Sequence, residues 1–305
     1  MAHSQDLGLM QAKYMVIAGP TGVGKTDLAI EVAQRLRTEI VGADAFQIYQ
    51  GLDLLTGKPH PSQLRSVRHH LVSIVPLTET FDAHRYAILA RQIILDLNQR
   101  GTIPLVVGGT GFYLRALEQP LPRLPSANKD LRQELEQRST SILLEELALR
   151  DPVTLARIDR RNRRRLVRAL EICILSDQPF SSFTFDPLPA PTVPRLFLQR
   201  TRQEMDERIY RRVTGMFARG VAGEVAQIRQ IGPTASQAIG FSLIRALLAG
   251  DIDEESCHDQ ICRQTRQYAK RQTTWFRRQK YQFVSAESAV ECLTATFRRH
   301  FSEGS

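Results

Sequence analysis

Long apolar runs and paired cysteines are both absent from this sequence. No stretch reaches the length of about 20 apolar residues that a membrane-spanning helix needs. The chain has 4 cysteines, none in a Cys-x-x-Cys pair or a spacing typical of a metal site. Residues 1–11 lack a basic segment followed by an apolar one, so no secretion signal is predicted. We therefore expect a cytoplasmic protein with reduced thiols and no membrane association.

Negative charge is also scarce relative to positive charge. Lys and Arg total 41 against 32 Asp and Glu, which gives a net charge of +9. Two stretches, residues 160–168 and 263–280, carry several basic residues and no acid. Clustered arginine is typical of a surface that binds a polyanion such as nucleic acid. The alternative, a solvated helix face, explains one such stretch more easily than two.

The most informative motif that is present lies near the N-terminus, at residues 19–26. It consists of Gly19, Pro20, Thr21, Gly22, Val23, Gly24, Lys25 and Thr26. These residues match the P-loop pattern Gly-x-x-x-x-Gly-Lys-Ser/Thr at every fixed position. The preceding apolar stretch predicts a strand and residues 26–36 predict an amphipathic helix, so backbone N–H groups face an anion at the helix start. Lys25 adds positive charge, and the Thr26 hydroxyl suits a phosphate-bound Mg²⁺ ion. The motif predicts phosphate or diphosphate binding without identifying the compound.

Strands and helices alternate up to about residue 118. We predict strands at 13–18, 39–43, 70–75 and 104–107, with helices at 82–98 and 112–117. This alternation is typical of a parallel sheet with helices on both faces.

Two proline-rich breaks, at 120–125 and 187–194, enclose a segment whose apolar spacing predicts helices only. We therefore expect an α/β fold with a P-loop NTPase-like parallel sheet core and an all-helical insertion. The core would comprise residues 1–122 and 193–305, and the insertion residues 123–192. The second part of the core would include a strand at 195–199 and basic C-terminal helices.

Two features follow predicted strands beside the P-loop. Asp44 closes the second strand, at the sheet edge where doubly wound folds bind ligands. We interpret Asp44 as a magnesium ligand or a general base, with a turn cap as the alternative. The fourth strand is followed by residues 108–111, Gly-Gly-Thr-Gly, and not by the acid that holds magnesium in many P-loop ATPases. That absence disfavours a hydrolytic motor or a GTPase.

Six segments in order make the sequence similar to the tRNA dimethylallyltransferases, also called tRNA isopentenyltransferases. They are residues 19–26, 44–59, 69–71, 107–113, 164–171 and 265–277. The resemblance implies an enzyme that transfers a dimethylallyl group from dimethylallyl diphosphate to an adenosine of tRNA, with release of diphosphate. The acceptor would be the exocyclic N6 amine of the adenosine on the 3′ side of the anticodon. A P-loop core with a helical insertion is the fold that it implies.

The resemblance also implies roles for single residues. Residues 19–26 would hold the diphosphate, with Mg²⁺ at Thr26, and Asp44 would act as the general base. Arg212 fits best as a diphosphate-binding arginine, with Arg208 one turn away as the alternative. The implied tRNA contacts are Asp44, Ala45, Phe46, Gln47, Thr110, Arg132, Arg164, Arg165, Leu166, Val167, Arg168, Gln237, Ala238, Ile239, Gly240, Phe241 and Ser242.

The sequence departs from the family pattern after Gly240. The family usually has a tyrosine and then a basic residue there, whereas this chain has Phe241 and Ser242. The partners implied are the anticodon stem-loop of tRNA and dimethylallyl diphosphate, and the family suggests a monomer.

Three other functions remain open from the residues. A small-molecule P-loop kinase would explain Lys25, Asp44 and an arginine-rich lid at 160–168, but not the basic stretch at 263–280 or the helical insertion. An enzyme that prenylates free adenine nucleotides would not need an extensive basic surface. An RNA-binding protein with a degenerate P-loop is disfavoured because Lys25, Thr26 and Asp44 are intact.

Overall fold

The computed structural model describes residues 12–119, 121–122, 124–183 and 193–301. The chain divides into two compact units. The α/β unit comprises Met1–Glu118 and Pro189–Ser305, and the helical unit comprises Gln119–Leu188. The expected absence of a signal in residues 1–11 and most of the proline-rich break at 187–194 lie outside the described residues.

A parallel sheet forms the centre of the α/β unit. Its strands are β1 (Met15–Ala18), β2 (Ile40–Gly42), β3 (His69–His70), β4 (Leu105–Gly108), β5 (Arg195–Gln199) and β6 (Gln282–Ser285). The six strands pair in parallel in the order β3-β2-β4-β1-β5-β6. All four residues of β1 are buried because this strand lies between β4 and β5. Strands covered on both faces read as continuous apolar runs, as the sequence of β1 does.

Ten α-helices of the described residues belong to the α/β unit. Those before the insertion are α1 (Lys25–Leu36), α2 (Asp53–Thr56), α3 (Pro61–Ser66), α4 (Ala83–Gln99) and α5 (Gly111–Glu118). Those after it are α10 (Arg202–Ala218), α11 (Val221–Ala226), α12 (Phe241–Ala249), α13 (Glu254–Phe276) and α14 (Ala289–Phe301). One apolar cluster joins α1 and α14 to the sheet. A second cluster contains residues of all four helices from α10 through α13. No helix in the described part of the chain is long and apolar enough to cross a membrane.

The third strand is shorter than the predicted stretch 70–75. Leu71 and Ser73 have φ of 60° and 54°, a left-handed conformation that interrupts an extended strand. Only His69–His70 pair with β2, and Val75 makes an isolated parallel bridge to Tyr49. Strand β6 was not predicted, because its four residues include only two large apolar side chains.

The helical unit contains α6 (Lys129–Gln137), α7 (Thr140–Arg150), α8 (Pro152–Arg157) and α9 (Arg163–Ser176). Leucines at helical spacing form its core, among them Leu135, Leu143, Leu147, Leu166 and Leu170. Each helix begins at a side chain that accepts a backbone N–H, and the four caps are Asn128, Ser139, Asp151 and Asn162. Such caps stabilise a helix by about 1 kcal/mol each.

Candidate active site

The P-loop connects β1 to α1 and adopts a shape that requires glycine. Gly22 and Gly24 have φ of 86° and 98°, and Gly24 is the residue at which α1 begins. Glycine adopts positive φ without a steric penalty, so the pattern of glycines follows from the backbone. The first N–H groups of α1 have no partner within the helix and form a site for an anion. Thr26 lies half-buried in this first turn.

Cationic side chains donate to carbonyl oxygens of the loop. Lys25 Nζ lies 2.9 Å from the carbonyl oxygens of Gly19 and Pro20. Arg208 Nε donates to the Gly22 carbonyl at 2.8 Å. Because its carbonyls are occupied in this way, the loop presents N–H groups to a ligand.

Arg208 and Arg212, the two candidates for the diphosphate-binding arginine, reach different places from α10. A Cβ at Gly24 would lie 2.9 Å from Arg208 Nη2, so this guanidinium lies beside the P-loop. Arg212 Nη2 donates to the Thr56 carbonyl at 2.9 Å. Burial lowers the pKa of Arg212, and the nearby Asp44 carboxylate opposes that shift. Arg208 therefore contacts the loop, and Arg212 is the one coupled to Asp44.

Lys25, Asp44 and Arg212 form an electrostatic cluster at the carboxyl edge of the sheet. Burial lowers the pKa of Lys25 to about 8; Asp44 opposes this shift and Arg212 adds to it. A negatively charged ligand would stabilise the charged form of both cations. The cluster is thus suited to binding an anion beside a carboxylate.

Asp44 combines the two roles considered for it. Its Oδ1 accepts the N–H groups of Phe46 and Gln47 at 2.9 Å and 3.2 Å, which makes it a turn cap. In the described part of the chain no hydrogen bond reaches its Oδ2. One carboxylate oxygen therefore fixes the turn, while the other is available as a proton acceptor.

The rest of the segment 44–47 is held by its neighbours. Ala45 N donates to Thr110 Oγ1 at 3.0 Å, and Gln47 Nε2 donates to the Gly57 carbonyl at 3.1 Å. Phe46 packs against the apolar cluster of α10 to α13. The structure therefore brings together Asp44, Thr110 and the P-loop, as expected for the ends of adjacent parallel strands.

Two residues of α13 that were not predicted as site residues lie here. Gln272 Oε1 accepts the Thr21 N–H at 2.8 Å, and its Nε2 donates to the Gly109 carbonyl at 2.8 Å. The Tyr268 hydroxyl interacts with Thr110 and Gln272, and burial together with the Asp44 charge raises its pKa to about 12. From the sequence, this stretch was interpreted as a basic surface and as one segment of the family resemblance, with no role given to either residue.

A signal for Gln272 was present in the sequence. Thr265, Ala269, Gln272 and Phe276 recur at helical spacing, and all four are buried. A glutamine in such a row must satisfy its amide inside the protein.

The arginines predicted to contact tRNA differ within the helical unit. Arg164 and Arg165 are exposed at the start of α9. Arg132 and Arg168 bind the same Glu171 Oε2, at 2.6 Å and 2.7 Å, and Glu171 is fully buried. These two arginines therefore link helices of this unit, a role that no pattern in the sequence predicted.

Several predicted tRNA contacts have buried side chains. Leu166 and Val167 belong to the core of the helical unit, and Ala238 and Phe241 to the cluster of α10 to α13. Their side chains are unavailable to RNA because they face the protein interior. Gln237 and Ser242 are exposed, and Ile239 is half-buried. Gly240 has φ of 89° and begins α12. This backbone conformation favours glycine at the position.

An open cleft lies on the helical unit beside Arg164 and Arg165. Its volume is about 720 Å³. The lining combines arginines with aromatic and aliphatic side chains, among them Arg157, Arg168, Phe180 and Phe183. Buried Asp151 fixes one wall by accepting the N–H groups of Thr154 and Ser181 at 2.8 Å and 2.7 Å.

Residues 47–279 match the family model described as IPP transferase. The chain belongs to this family. It is 38% identical to the tRNA dimethylallyltransferase of Deinococcus radiodurans over 293 residues, covering 92% of this chain and 95% of the relative. It is 37% identical to the protein of the same name from Akkermansia muciniphila over 267 residues, covering 88% and 91%.

Solved structures agree with this assignment. The tRNA isopentenylpyrophosphate transferase of Bacillus halodurans matches with a TM-score of 0.69 and 31% identity, covering 96% of this chain and 97% of the other. A eukaryotic dimethylallyltransferase acting on tRNA matches with a TM-score of 0.73 and 25% identity, covering 95% and 77%. The predicted family, its P-loop NTPase-like α/β fold and the prediction of a prenyl-transferring enzyme are thereby confirmed.

Proposed function

We propose that this protein transfers a dimethylallyl group from dimethylallyl diphosphate to N6 of the adenosine on the 3′ side of a tRNA anticodon. The relatives from Deinococcus and Akkermansia carry the name tRNA dimethylallyltransferase. The observation that carries the proposal is the coupling of Lys25, Asp44 and Arg212 beside a glycine-shaped anion site. A carboxylate next to two cations and a P-loop supplies what both halves of this reaction need.

The diphosphate half of the reaction needs stabilisation of a leaving group. When the bond from the allylic carbon to oxygen breaks, its electron pair moves to the diphosphate oxygen. The N–H groups at the start of α1, Lys25 and Arg212 would stabilise that charge as it develops. The hydrogen bonds of Lys25 to Gly19 and Pro20 and of Arg212 to Thr56 support this proposal, because they hold both cations near the loop before a ligand binds.

Mg²⁺ fits the same place. The described residues contain no group of three or more His, Cys, Asp or Glu that could bind a metal ion. In phosphate sites Mg²⁺ is commonly bound by one or two protein groups, substrate oxygens and water, and the Thr26 hydroxyl offers such a group. When bound, the ion would add positive charge near the leaving diphosphate.

The adenosine half needs a proton acceptor. The N6 lone pair is delocalised into the purine, so the amine is a weak nucleophile. As N6 bonds to the allylic carbon, one N6 proton would move to Asp44 Oδ2 while Oδ1 holds the turn. An adenosine in a folded loop must be unstacked to reach this carboxylate, and the single-stranded anticodon loop permits that.

We propose that the exposed arginines of α9, Arg164 and Arg165, grip the RNA backbone. They supply positive charge with no acid nearby in sequence, and backbone contacts of this kind fix the register of a nucleic acid. Gln237 and Ser242 are proposed as further contacts, because they are exposed. That the protein acts as a cytoplasmic monomer stays a prediction.

Mass spectrometry of tRNA nucleosides tests the proposal. Purified protein is incubated with unmodified tRNA, Mg²⁺ and dimethylallyl diphosphate, and N6-dimethylallyladenosine is expected at the position after the anticodon. Parallel reactions with ATP and a small phosphate acceptor, and with free AMP as prenyl acceptor, cover the two competing enzymes. Product in either of those reactions without product in tRNA would overturn the proposal.

A further inference from the structure

Gln272 joins two loops at the carboxyl edge of the sheet. Its amide accepts the Thr21 N–H of the P-loop and donates to the Gly109 carbonyl, both at 2.8 Å. The side chain is only 6% exposed. Since β1 and β4 are neighbours in the sheet, this one amide spans the loops that follow both strands.

The surroundings hold this amide in place. A Cβ at Gly109 would lie 2.4 Å from Gln272 Nε2, and a Cβ at Gly111 would lie 2.4 Å from the Trp275 ring. Tyr268, which lies on α13 with Gln272, interacts with Thr110. Positions 268, 272 and 275 share one helix face, so α13 packs against both loops with that face. The amide is thus fixed by close contacts on both sides.

Two consequences follow for the P-loop. The Thr21 N–H is already bonded, so it is not available to a phosphate while the bridge persists. The neighbouring carbonyls are bonded as well, by Lys25 at Gly19 and by Arg208 at Gly22. The shape of the loop is therefore set by protein groups before a ligand arrives, and a preformed loop loses less conformational freedom on binding.

We propose that Gln272 is a positioning residue of the diphosphate site. Its amide orients the P-loop through Thr21 and leaves the N–H groups at the start of α1 for the ligand. Both halves of the amide are required. An apolar side chain would leave the Thr21 N–H and the Gly109 carbonyl unsatisfied, and a carboxylate would face the Gly109 oxygen and an anionic ligand. The inference rests on the proposed function, because it takes the ligand to be a diphosphate.

Titration of inorganic diphosphate into the full-length protein with Mg²⁺ present tests this role, whether or not prenyl transfer is observed. For Gln272→Met, which removes both hydrogen bonds at similar volume, we expect diphosphate affinity to fall about tenfold. Gln264→Met is the matched control, because Gln264 is exposed on the same helix. In tRNA prenylation assays, Gln272→Met should raise the KM for dimethylallyl diphosphate and leave the KM for tRNA unchanged.

Gln272→Glu separates positioning from simple packing. Its ionised carboxyl cannot donate to the Gly109 carbonyl, but its protonated form can. Diphosphate affinity relative to wild type, compared at each pH, should therefore recover as the pH is lowered. This readout also decides the matter if Gln272→Met fails to fold.

Two results would overturn the inference. They are unchanged diphosphate affinity in folded Gln272→Met, and a pH-independent ratio between Gln272→Glu and wild type. Absence of tRNA product with wild-type protein would instead count against the proposed function, and the diphosphate titrations would still decide the role of Gln272.

Discussion

The arginines beside the P-loop and the arginines around Glu171 bind different kinds of partner. In the α/β unit, Arg208 and Arg212 donate to backbone carbonyls of Gly22 and Thr56, at 2.8 Å and 2.9 Å. In the helical unit, Arg132 and Arg168 bind the buried carboxylate of Glu171. A guanidinium on a neutral carbonyl keeps its charge for an incoming anion, whereas the two guanidinium groups on Glu171 share one compensating negative charge.

This difference assigns separate work to the charges of each unit. The cations beside the P-loop have charge left for the ligand that we propose, and the arginines around Glu171 link helices of the helical unit. Arg164 and Arg165, which are exposed at the start of α9, are the charges that we propose for binding tRNA. An arginine-rich sequence therefore predicts a net charge, but only the positions of the acids in space show which charges remain available.

The largest effect is expected from Asp44→Asn, which tests whether the chemistry takes place in the α/β unit. The amide oxygen of Asn can still accept the N–H groups of Phe46 and Gln47, so the turn is kept while the proton acceptor is lost. We expect kcat for prenyl transfer to fall by about 10²–10⁴. Single-turnover assays at saturating tRNA measure it. A rate within about threefold of wild type would show that the N6 proton goes elsewhere.

A second variant, Glu171→Ala, removes the carboxylate that pairs with Arg132 and Arg168 in the helical unit. Burial alone would raise the pKa of Glu171, but hydrogen bonds from Arg132, Arg168 and the Asn128 amide outweigh it, so the pKa lies below its usual value. Without this carboxylate, we expect the helical unit to lose about 3 kcal/mol of stability.

Hydrogen exchange measures the effect of Glu171→Ala in each unit separately. Exchange should rise in α9 and stay unchanged in α1. In wild type the lowered pKa means that this stabilisation is present at neutral pH and is lost as the pH falls through the carboxylate range. Equal protection of α9 in wild type and Glu171→Ala would contradict a stabilising role for the arginine pair.

Part of the candidate site could be predicted from the sequence, because the motifs that mark it are local. The P-loop glycines, Asp44 and Thr110 each follow a buried strand, and parallel strands bring their carboxyl ends to one edge. Gln272 lies more than 250 positions from Thr21, and no local pattern links the two. The same holds for Arg132 and Glu171, which are 39 positions apart.

Replacement of Arg164 and Arg165 by Ala should have a smaller, purely electrostatic effect. Each lost phosphate contact reduces the slope of log affinity against log salt by about 0.7 for single strands. We expect tRNA affinity to fall about tenfold at low salt, with kcat at saturating tRNA unchanged. The double variant Arg298→Ala/Arg299→Ala removes equal charge from exposed positions of α14 and should leave the slope unchanged. Identical slopes in all three proteins would sink the assignment of α9 to tRNA.

The smallest effect is expected from a change of pH, which tests whether the Lys25 ammonium group binds the diphosphate. Burial lowers its pKa to about 8 in the ligand-free protein, and a bound diphosphate would raise it again. Diphosphate affinity should therefore weaken as the pH rises above about 8, by up to tenfold per unit. Inorganic diphosphate titrated between about pH 7 and pH 9.5 measures it. In Lys25→Arg the guanidinium stays charged, so this loss should be absent and the ratio of wild-type to variant affinity should fall as the pH rises.

Stability should respond to pH in the opposite direction. The unfolded chain keeps the Lys25 proton up to the ordinary pKa of 10.5, whereas the folded protein releases it near 8. Between these values the unfolded state binds more protons, so the Lys25 contribution to stability without ligand rises with pH. Comparing wild type with Lys25→Met by chemical denaturation across this range isolates that contribution. If affinity and stability fell together above pH 8 in wild type and in both variants, other groups would control the response and Lys25 would not be the ligand-binding charge.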